Sequence, residues 1–344
     1  MSLRRSLPLI RAAALNPFVR FLDREGVSSA RLLAGSGLSY YPFESPEQPI
    51  PFLSTLSFAT LAARRTGLID LGCQVADDIA LAELGLFGQI VLHAPDVGTA
   101  LRRAGLTMRH FSSHETLLLR VDRGGATVSV HFTRAADPAD LHVAEQYTVM
   151  LLRRIIEASG FAGGCFRRIA FSSDPFGALE TLRGWFGDEI VVADRPGLTI
   201  SLRDGVLERP LQGGAAPLKR DGWVALGPHL RLSESLGMLL STMLLDSVPA
   251  IGEVARVAGL SQRSLQRQLH AEDTSFREVL DQQRRELALN YVNRPRVSLG
   301  ELSQNLGYGH QSSLTRAFRR WTDESPRTLR ARPQPFSAST RPAR

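Results

Sequence analysis

The C-terminal third of the chain carries one pattern of apolar and polar positions twice. Between residues 232 and 330, apolar side chains recur at helical spacing, which predicts helices and no strands. Residues 254–269 and 302–318 share one order: a short amphipathic helix, a glycine and a second amphipathic helix. Gly259 and Gly307 supply the tight turns. This order is typical of a helix-turn-helix, whose second helix enters the major groove of DNA.

The pattern before residue 210 is mixed. Residues 1 to about 60 predict a helix and then a loop, because four prolines between Tyr40 and Phe52 disfavour regular structure. Asp96 is expected to cap a helix, and Gly124-Gly125 to form a hairpin turn. The other predicted helices and strands are helices 77–90, 96–110, 141–158 and 175–186, and strands 116–121, 127–132, 168–171, 190–192 and 198–202.

These patterns predict two domains. Residues 1–210 form an α+β domain, and residues 232–332 form an all-α domain with two helix-turn-helix units joined by a long helix. The glycines and prolines of residues 211–231 predict a linker, and the composition of residues 333–344 predicts a disordered tail. The joining helix, 275 to about 293, would be roughly 28 Å long, against roughly 34 Å for one DNA turn.

The net charge of +7 is unevenly distributed. From residue 249 to the end, 16 arginines face 9 acidic residues, whereas the rest of the chain is balanced. A basic excess beside a groove-reading motif is the electrostatic signature expected of phosphate binding, although helical surfaces also carry surplus arginine for other reasons. Cys73 and Cys165 form no metal or redox motif, and no apolar run approaches the length of a membrane span. These features favour a cytoplasmic protein without membrane contact.

Polar side chains at matching places in both units are the candidate DNA contacts. On the second helix of each unit, two apolar residues face inward and arginine and glutamine face outward, where they can bond guanine and adenine. The outward residues near the start of these helices are Gln262, Arg263, Gln266 and Arg267 in the first unit and Gln311, Ser312, Thr315 and Arg316 in the second. The expected phosphate contacts are Ser261, Gln262, Thr315, Arg319 and Arg320. Ser261 also predicts an N-cap for the first recognition helix, whereas Gly309-His310 offers the second a poor one.

Residues 249–330 resemble the DNA-binding domain of AraC/XylS-type bacterial regulators. The similar stretches are 251–261, 274–277, 284–288 and 314–321, closed by Ser325-Pro326 and Arg330. The resemblance implies base contacts by Arg263, Gln266, Arg267, Gln311, Ser312 and Arg316. The chain departs from the family pattern at Gly309-His310, at Asp323-Glu324 and at Leu329, which bears on cap strength and affinity.

Residues 67–210 resemble the effector domain of the ornithine-regulator-like subgroup of that family. The similar features are 67–72, Leu84-Gly85, 94–102 and Phe186-Gly187. The resemblance implies a domain that senses a small molecule and forms dimers, and it identifies no ligand. The face formed by Met150, Leu151, Ile155 and Ile156 is most simply core, and part of it is a candidate dimer interface.

No catalytic, cofactor or metal site is expected in the N-terminal domain. His110 and His114 straddle a predicted helix end, so their spacing does not suit a shared metal ion. Asp77-Asp78 marks a helix start, and Ser172-Ser173-Asp174 is interpreted as a helix cap before Pro175. The glycine pairs lack the following Lys-Ser/Thr of a phosphate-binding loop.

The sequence therefore predicts a transcription regulator, with activation favoured by the resemblance alone. Its expected partners are double-stranded promoter DNA, an unknown small-molecule effector, RNA polymerase and a second copy of the chain. Two alternatives stay open. One is a bifunctional enzyme with an appended DNA-binding module, and the other is a helical protein-interaction module without a sensing role.

Overall fold

The structure is a computed structural model that describes residues 6–123, 125–132, 136–161, 163–211, 223–227, 229–292 and 298–331. Its N-terminal part combines helices with a sheet, in agreement with the predicted α+β class. The helices are α1 (Asn16–Arg24), α2 (Ser29–Gly35), α3 (Phe52–Thr66), α4 (Leu71–Asp77), α5 (Gly85–Leu92), α6 (Val97–Phe111), α7 (Pro138–Glu157) and α8 (Ala178–Phe186). The strands are β1 (Leu9–Arg11), β2 (Pro49–Pro51), β3 (Glu115–Asp122), β4 (Gly125–Phe132), β5 (Phe166–Phe171), β6 (Ile190–Val192) and β7 (Leu198–Leu202).

Five strands form the main sheet in the order β3-β4-β7-β5-β6. The pairings are antiparallel except that of β5 with β6. In the β3–β4 hairpin Glu115 lies opposite Phe132 and Asp122 opposite Gly125. The predicted hairpin is confirmed, and Gly124 of its turn lies outside the described residues. Asp96 caps α6 as predicted, because its carboxylate accepts a hydrogen bond of 2.6 Å from the Thr99 N–H.

Two predictions for the N-terminal part are wrong. The helix expected over 77–90 is broken: α4 ends at Asp77, a short 3-10 helix covers Leu81–Leu84, and α5 begins at Gly85, whose φ of +64° does not continue a helix. The loop expected over 40–52 contains β2, which pairs with β1. A strand of three residues in a two-stranded sheet tolerates its prolines because few ladder bonds are needed there.

Helices α4 and α7 approach each other closely around Gly72. A Cβ atom at residue 72 would lie 2.3 Å from the Val143 carbonyl oxygen, so only glycine fits. The Gly72 N–H donates to the Gln146 side chain at 3.0 Å, and the same side chain donates to the Ile69 carbonyl at 2.8 Å. This contact explains in physical terms why a glycine occupies that position of the 67–72 segment.

The described residues of the C-terminal part form helices and no strands, as predicted. These are α9 (Leu232–Met243), α10 (Ile251–Val257), α11 (Gln262–His270), α12 (Phe276–Val292), α13 (Leu299–Asn305), α14 (Gln311–Thr322) and α15 (Pro326–Ala331). The joining helix α12 has 17 residues and is about 25 Å long. Residues 212–222 and 228 of the predicted linker, residues 293–297, and the predicted tail, 333–344, lie outside the described residues.

One hydrophobic core runs from the N-terminal part into the first helix-turn-helix. Its buried side chains form one contiguous cluster, of which Leu7 is the first residue in the chain and Leu280 the last, and it includes residues of α9, α10 and α11. Polar bonds join the same parts: the Leu7 N–H donates to Ser235 Oγ at 2.9 Å, and the Thr242 hydroxyl donates to the Pro49 carbonyl at 2.9 Å.

The described end of the linker also packs on the N-terminal domain. Trp223 is buried and stacks on His110 at 5.1 Å between ring centroids. The buried Arg11 guanidinium donates to the carbonyls of His110, Glu47 and Val224, and burial lowers its pKa to about 10. The chain is thus fixed to the N-terminal domain before it enters α9. Within the described residues, no helix has the length and apolar character needed to cross a bilayer.

Candidate nucleic-acid interface

The first helix-turn-helix consists of α10, a turn at Gly259 and the recognition helix α11. Gly259 has a φ of +67°, which glycine adopts without strain. Ser261 caps α11 as predicted, because its Oγ accepts a hydrogen bond of 3.1 Å from the Ser264 N–H. Leu265 and Leu269 are fully buried and hold α11 against the core.

The outward face of α11 carries all the contact residues predicted for this unit. They are exposed in the structure: Ser261, Gln262, Arg263, Gln266 and Arg267. Their exposure follows from the helical period, since the two leucines four positions apart point the opposite face to solvent. The arrangement places two cations and two amides on a surface one helix wide, which suits a DNA groove.

The second unit repeats this plan with α13 and α14. Gly307 has a φ of +71°, and Leu314 and Phe318 are fully buried. Gln311, Ser312, Arg316 and Arg319 are exposed. Thr315 is partly buried, and its hydroxyl donates back to the Gln311 carbonyl at 3.0 Å.

The caps differ between the units. His310 precedes α14 and makes no capping hydrogen bond with its side chain, as the sequence predicts. The scaffold helix α13 is capped instead: Ser298 Oγ accepts from the Glu301 N–H at 3.0 Å, and Glu301 accepts from the Ser298 N–H at 2.8 Å. These hydrogen bonds lower the pKa of the Glu301 carboxyl. In the first unit, by contrast, the scaffold helix α10 has no side-chain cap.

Arg320 is exposed but takes part in a contact within the domain. Its Nη2 donates to both carboxylate oxygens of Asp281 on α12, at 2.8 and 2.9 Å. The same carboxylate accepts a hydrogen bond of 3.0 Å from Trp321 Nε1. A phosphate contact by Arg320 stays a prediction, and it would compete with Asp281. Arg319, on the exposed side of the same turn, is therefore the better candidate.

The first unit packs against the N-terminal domain at its scaffold helix and turn. A Cβ atom at Gly259 would lie 2.9 Å from Leu53 Cδ1 of α3, and one at Gly37 would lie 2.8 Å from Val257 Cγ1 of α10.

Glu272, just after α11, accepts hydrogen bonds from the N–H groups of Leu232 and Ser233 at the start of α9. Partial burial opposes ionisation of this carboxyl, but the Ser233 and Leu232 bonds lower its pKa overall.

Comparisons with known proteins agree with this geometry. Residues 254–332 match the family model described as a helix-turn-helix domain, and residues 26–211 match the arabinose-binding domain of AraC transcription regulators. Together these matches cover both domains. The chain belongs to the AraC family of transcription regulators.

Individual relatives of this AraC-family chain are also regulators. The ornithine utilization regulator of Pseudomonas aeruginosa is 26% identical over 94% of this chain and 97% of its own. The regulator VirS of Mycobacterium tuberculosis is 33% identical over 29% of each chain. The crystal structure of the regulator CdpR from Pseudomonas aeruginosa covers 92% of this chain and 98% of its own, with 19% identity and a TM-score of 0.42.

In the effector domain of this AraC-family regulator, Ser172 and Asp174 make hydrogen bonds within the fold. The Ser172 hydroxyl and N–H both donate to Glu145, and Asp174 accepts from the Leu179 N–H at 2.9 Å. Burial raises the pKa of Glu145 to about 7, and the bonds from Ser172 partly oppose this. Ser172 and Asp174 thus hold β5 and α8 in place.

His110 and His114 interact with different partners. His110 Nδ1 lies 3.0 Å from the Trp223 carbonyl oxygen, and His114 Nδ1 lies 2.6 Å from Ser113 Oγ. Among the described residues, no group of three or more His, Cys, Asp or Glu side chains is arranged to hold a metal ion.

A cavity in the effector domain was not predicted from the sequence. It is lined by residues of β1, α1, α3, α5, α6, β3, β4 and α7, and Glu115 and Tyr147 are among them. On α7, Met150, Ile155 and Ile156 are buried, and Leu151 and Ile155 line the cavity, so the core interpretation of this face is confirmed. The strand pattern held one signal: Glu115 shares the inward side of β3 with Leu117, where an apolar residue is usual.

Proposed function

We propose that this AraC-family protein binds promoter DNA with both recognition helices and acts as a regulator in the cytoplasm, not as an enzyme. The base contacts would be made by Arg263, Gln266 and Arg267 in the first unit and by Gln311, Ser312 and Arg316 in the second. The phosphate contacts would be made by Ser261, Gln262, Thr315 and Arg319, with Arg320 once it leaves Asp281.

The observation that carries this proposal is the matched pair Arg267 and Arg316. Each is exposed on a recognition helix and follows two residues after a fully buried leucine, Leu265 or Leu314. Two arginines fixed in this way by two cores can each form two hydrogen bonds to a guanine. The helix α12 that joins the units is roughly 25 Å long, against roughly 34 Å for one turn of DNA.

Fluorescence anisotropy tests the proposal, using the strongest site recovered from a genomic DNA pull-down with the purified protein. Arg267→Ala and Arg316→Ala should each weaken specific binding by roughly 1–3 kcal/mol and relax the preference at one base position. Arg319→Ala should weaken binding to all sequences alike and reduce the salt slope by about one. Arg65→Ala, on the exposed end of α3, is the control with the same change in charge. Wild-type affinity in both recognition-helix variants would refute the proposal.

In this proposal the N-terminal domain senses a small molecule and also forms a homodimer, which activates transcription through contact with RNA polymerase. Strand β3 lies at the edge of the sheet, and its Leu118 and Val121 are exposed, as is Leu106 on the neighbouring α6. Exposed apolar side chains beside an open sheet edge favour pairing with another chain. Light scattering should show a dimer for the wild type and a monomer for Leu118→Lys. A monomeric wild type at micromolar concentration would contradict the dimer.

A further inference from the structure

The cavity of the effector domain has walls that are almost entirely apolar. Its polar wall residues are few, and two of them already have partners: Thr55 Oγ1 donates to the Pro51 carbonyl at 3.0 Å and Thr148 Oγ1 to the Ala144 carbonyl at 2.8 Å. Rings and aliphatic side chains such as Phe18, Phe111 and Leu152 form the rest of the wall. Such a wall stabilises an apolar molecule and offers little to one with many hydroxyls.

One carboxyl group stands in this apolar wall. Glu115 opens β3 and lines the cavity, and no lysine, arginine or histidine is among the described residues that line it. Burial raises the pKa of Glu115 to about 7, with the Ser112 hydroxyl only partly opposing the shift. None of the described residues that line the cavity offers this carboxylate a cationic partner. A cationic group of a ligand would therefore offset the free-energy cost of its desolvation.

The size of the cavity limits the ligand. Its volume is about 100 Å³, and an apolar cavity of about 150 Å³ is known to accommodate benzene. The cavity is smaller than that, so it accommodates a short aliphatic group but not a benzene ring or a longer chain.

The same features argue against two other ligand classes, sugars and α-amino acids. A sugar would bury several hydroxyls against walls that offer them few partners. An α-amino acid such as ornithine would bring a carboxylate beside Glu115, where no basic side chain lines the cavity to neutralise it.

We propose that the effector of this regulator is a small aliphatic amine, whose short chain fills the cavity and whose ammonium group pairs with the carboxylate of Glu115. This inference rests on the proposed function, because it names the ligand class of the domain that is proposed to sense an effector.

The test compares three probes of similar size with different charge: propylamine, 1-propanol and propionate. Their binding to the full-length protein without DNA is measured by isothermal titration calorimetry at pH 7.5. Propylamine should bind at least about tenfold more tightly than 1-propanol, since a hydrogen bond to a charged partner contributes more than a neutral one. Propionate should show no binding.

Variants locate the site. Glu115→Gln keeps the shape of the side chain and should remove the preference for propylamine while 1-propanol still binds. Glu189→Gln, an exposed acid of the same domain, is the matched control and should behave as wild type. Ala144→Leu, which fills the cavity, should abolish binding of both compounds, and its melting temperature without ligand checks that it folds.

Two results would overturn the proposal: propionate or 1-propanol binding as tightly as propylamine, or Glu115→Gln retaining the full preference for the amine. DNA binding without added ligand is measured on the same samples. If the amine fails while DNA is bound, only the ligand class is refuted. If DNA binding fails while the amine binds, the proposed function is refuted and the ligand site stands.

Discussion

The two helix-turn-helix units have the same local plan but different surroundings. The first unit shares one core with the effector domain, through α9, α10 and α11. The second unit has a core of its own, formed by Ala288, Val292, Leu302, Leu306, Leu314 and Phe318. The capped helix also differs: a serine caps the recognition helix in the first unit and the scaffold helix in the second.

This difference indicates where an effector signal has a direct structural route. A change in the effector domain that shifts α3 or α9 acts on the first unit through packed side chains, such as the contact of Leu53 with Gly259. The second unit is reached through α12 and through Val248, which lies against Gly307. Because separate cores unfold with separate free energies, the second unit is expected to open locally while the first remains folded.

The largest expected effect comes from removing the central side chain of the second core. Phe318 is fully buried, so Phe318→Ala should cost about 3–5 kcal/mol of local stability. Hydrogen exchange should lose protection in α13 and α14 while α10 and α11 keep theirs.

The matched change in the first unit is Leu269→Ala, also at a fully buried position. Its loss of protection should spread into α9 and the effector domain, because these share its core. Equal loss in both units after Phe318→Ala would show that the two cores act as one.

A second, smaller effect is the pH dependence of stability that Glu145 gives to the core shared by the effector domain and the first unit. Glu145 is fully buried, and its pKa is raised from 4.5 to about 7. The folded state therefore holds a proton that the unfolded state has lost between these values, and stability falls as pH rises from about 4.5 to about 7. Above about pH 7 the carboxyl is ionised in both states, and the full free-energy cost of burying its charge lowers the stability.

Glu145→Gln should remove this cost, since its amide can donate to Ser172 Oγ and its oxygen can accept from the Ser172 N–H. Urea unfolding should show a gain on the order of 2 kcal/mol at pH 8 and little gain at pH 5. Glu189→Gln is the exposed control, and exchange rates in α14 should not change. The same gain at both pH values would contradict the assignment.

The helix-turn-helix units were predictable from the sequence because their signals are local. A glycine, two apolar residues four apart and a polar face fix each recognition helix, and Ser261 and His310 forecast its cap or lack of one. The break after Asp77 was not predictable from the apolar period, because it depends on the backbone of Gly85 and on Leu81, whose carbonyl leaves no room for a side chain at Gly88.

Features that join distant segments were missed for a related reason. The stacking of Trp223 on His110 and the hydrogen bond from Arg11 to the Val224 carbonyl connect residues more than one hundred positions apart, and apolar spacing carries no information on such pairs. The cavity is lined by eight helices and strands, and among its residues only Glu115 departs from the expected sequence pattern. Conversely, the spacing of α7 correctly predicted a core face but not that part of it lines a cavity.

The smallest expected effect is the most direct test of the asymmetry between the recognition helices. Ser261 caps α11, whereas His310 leaves the first N–H groups of α14 without a side-chain acceptor. His310→Ser should stabilise α14 by about 1 kcal/mol, and Ser261→Ala should cost α11 a similar amount. Amide exchange at Ser313 and Ser264 measures the two changes on the same scale. If fraying of α14 limits DNA binding, the first substitution raises affinity up to about fivefold, since about 1 kcal/mol is all a cap supplies. An unchanged affinity together with slower exchange at Ser313 would show that α14 is already formed when it meets DNA, and that its missing cap does not weaken DNA binding.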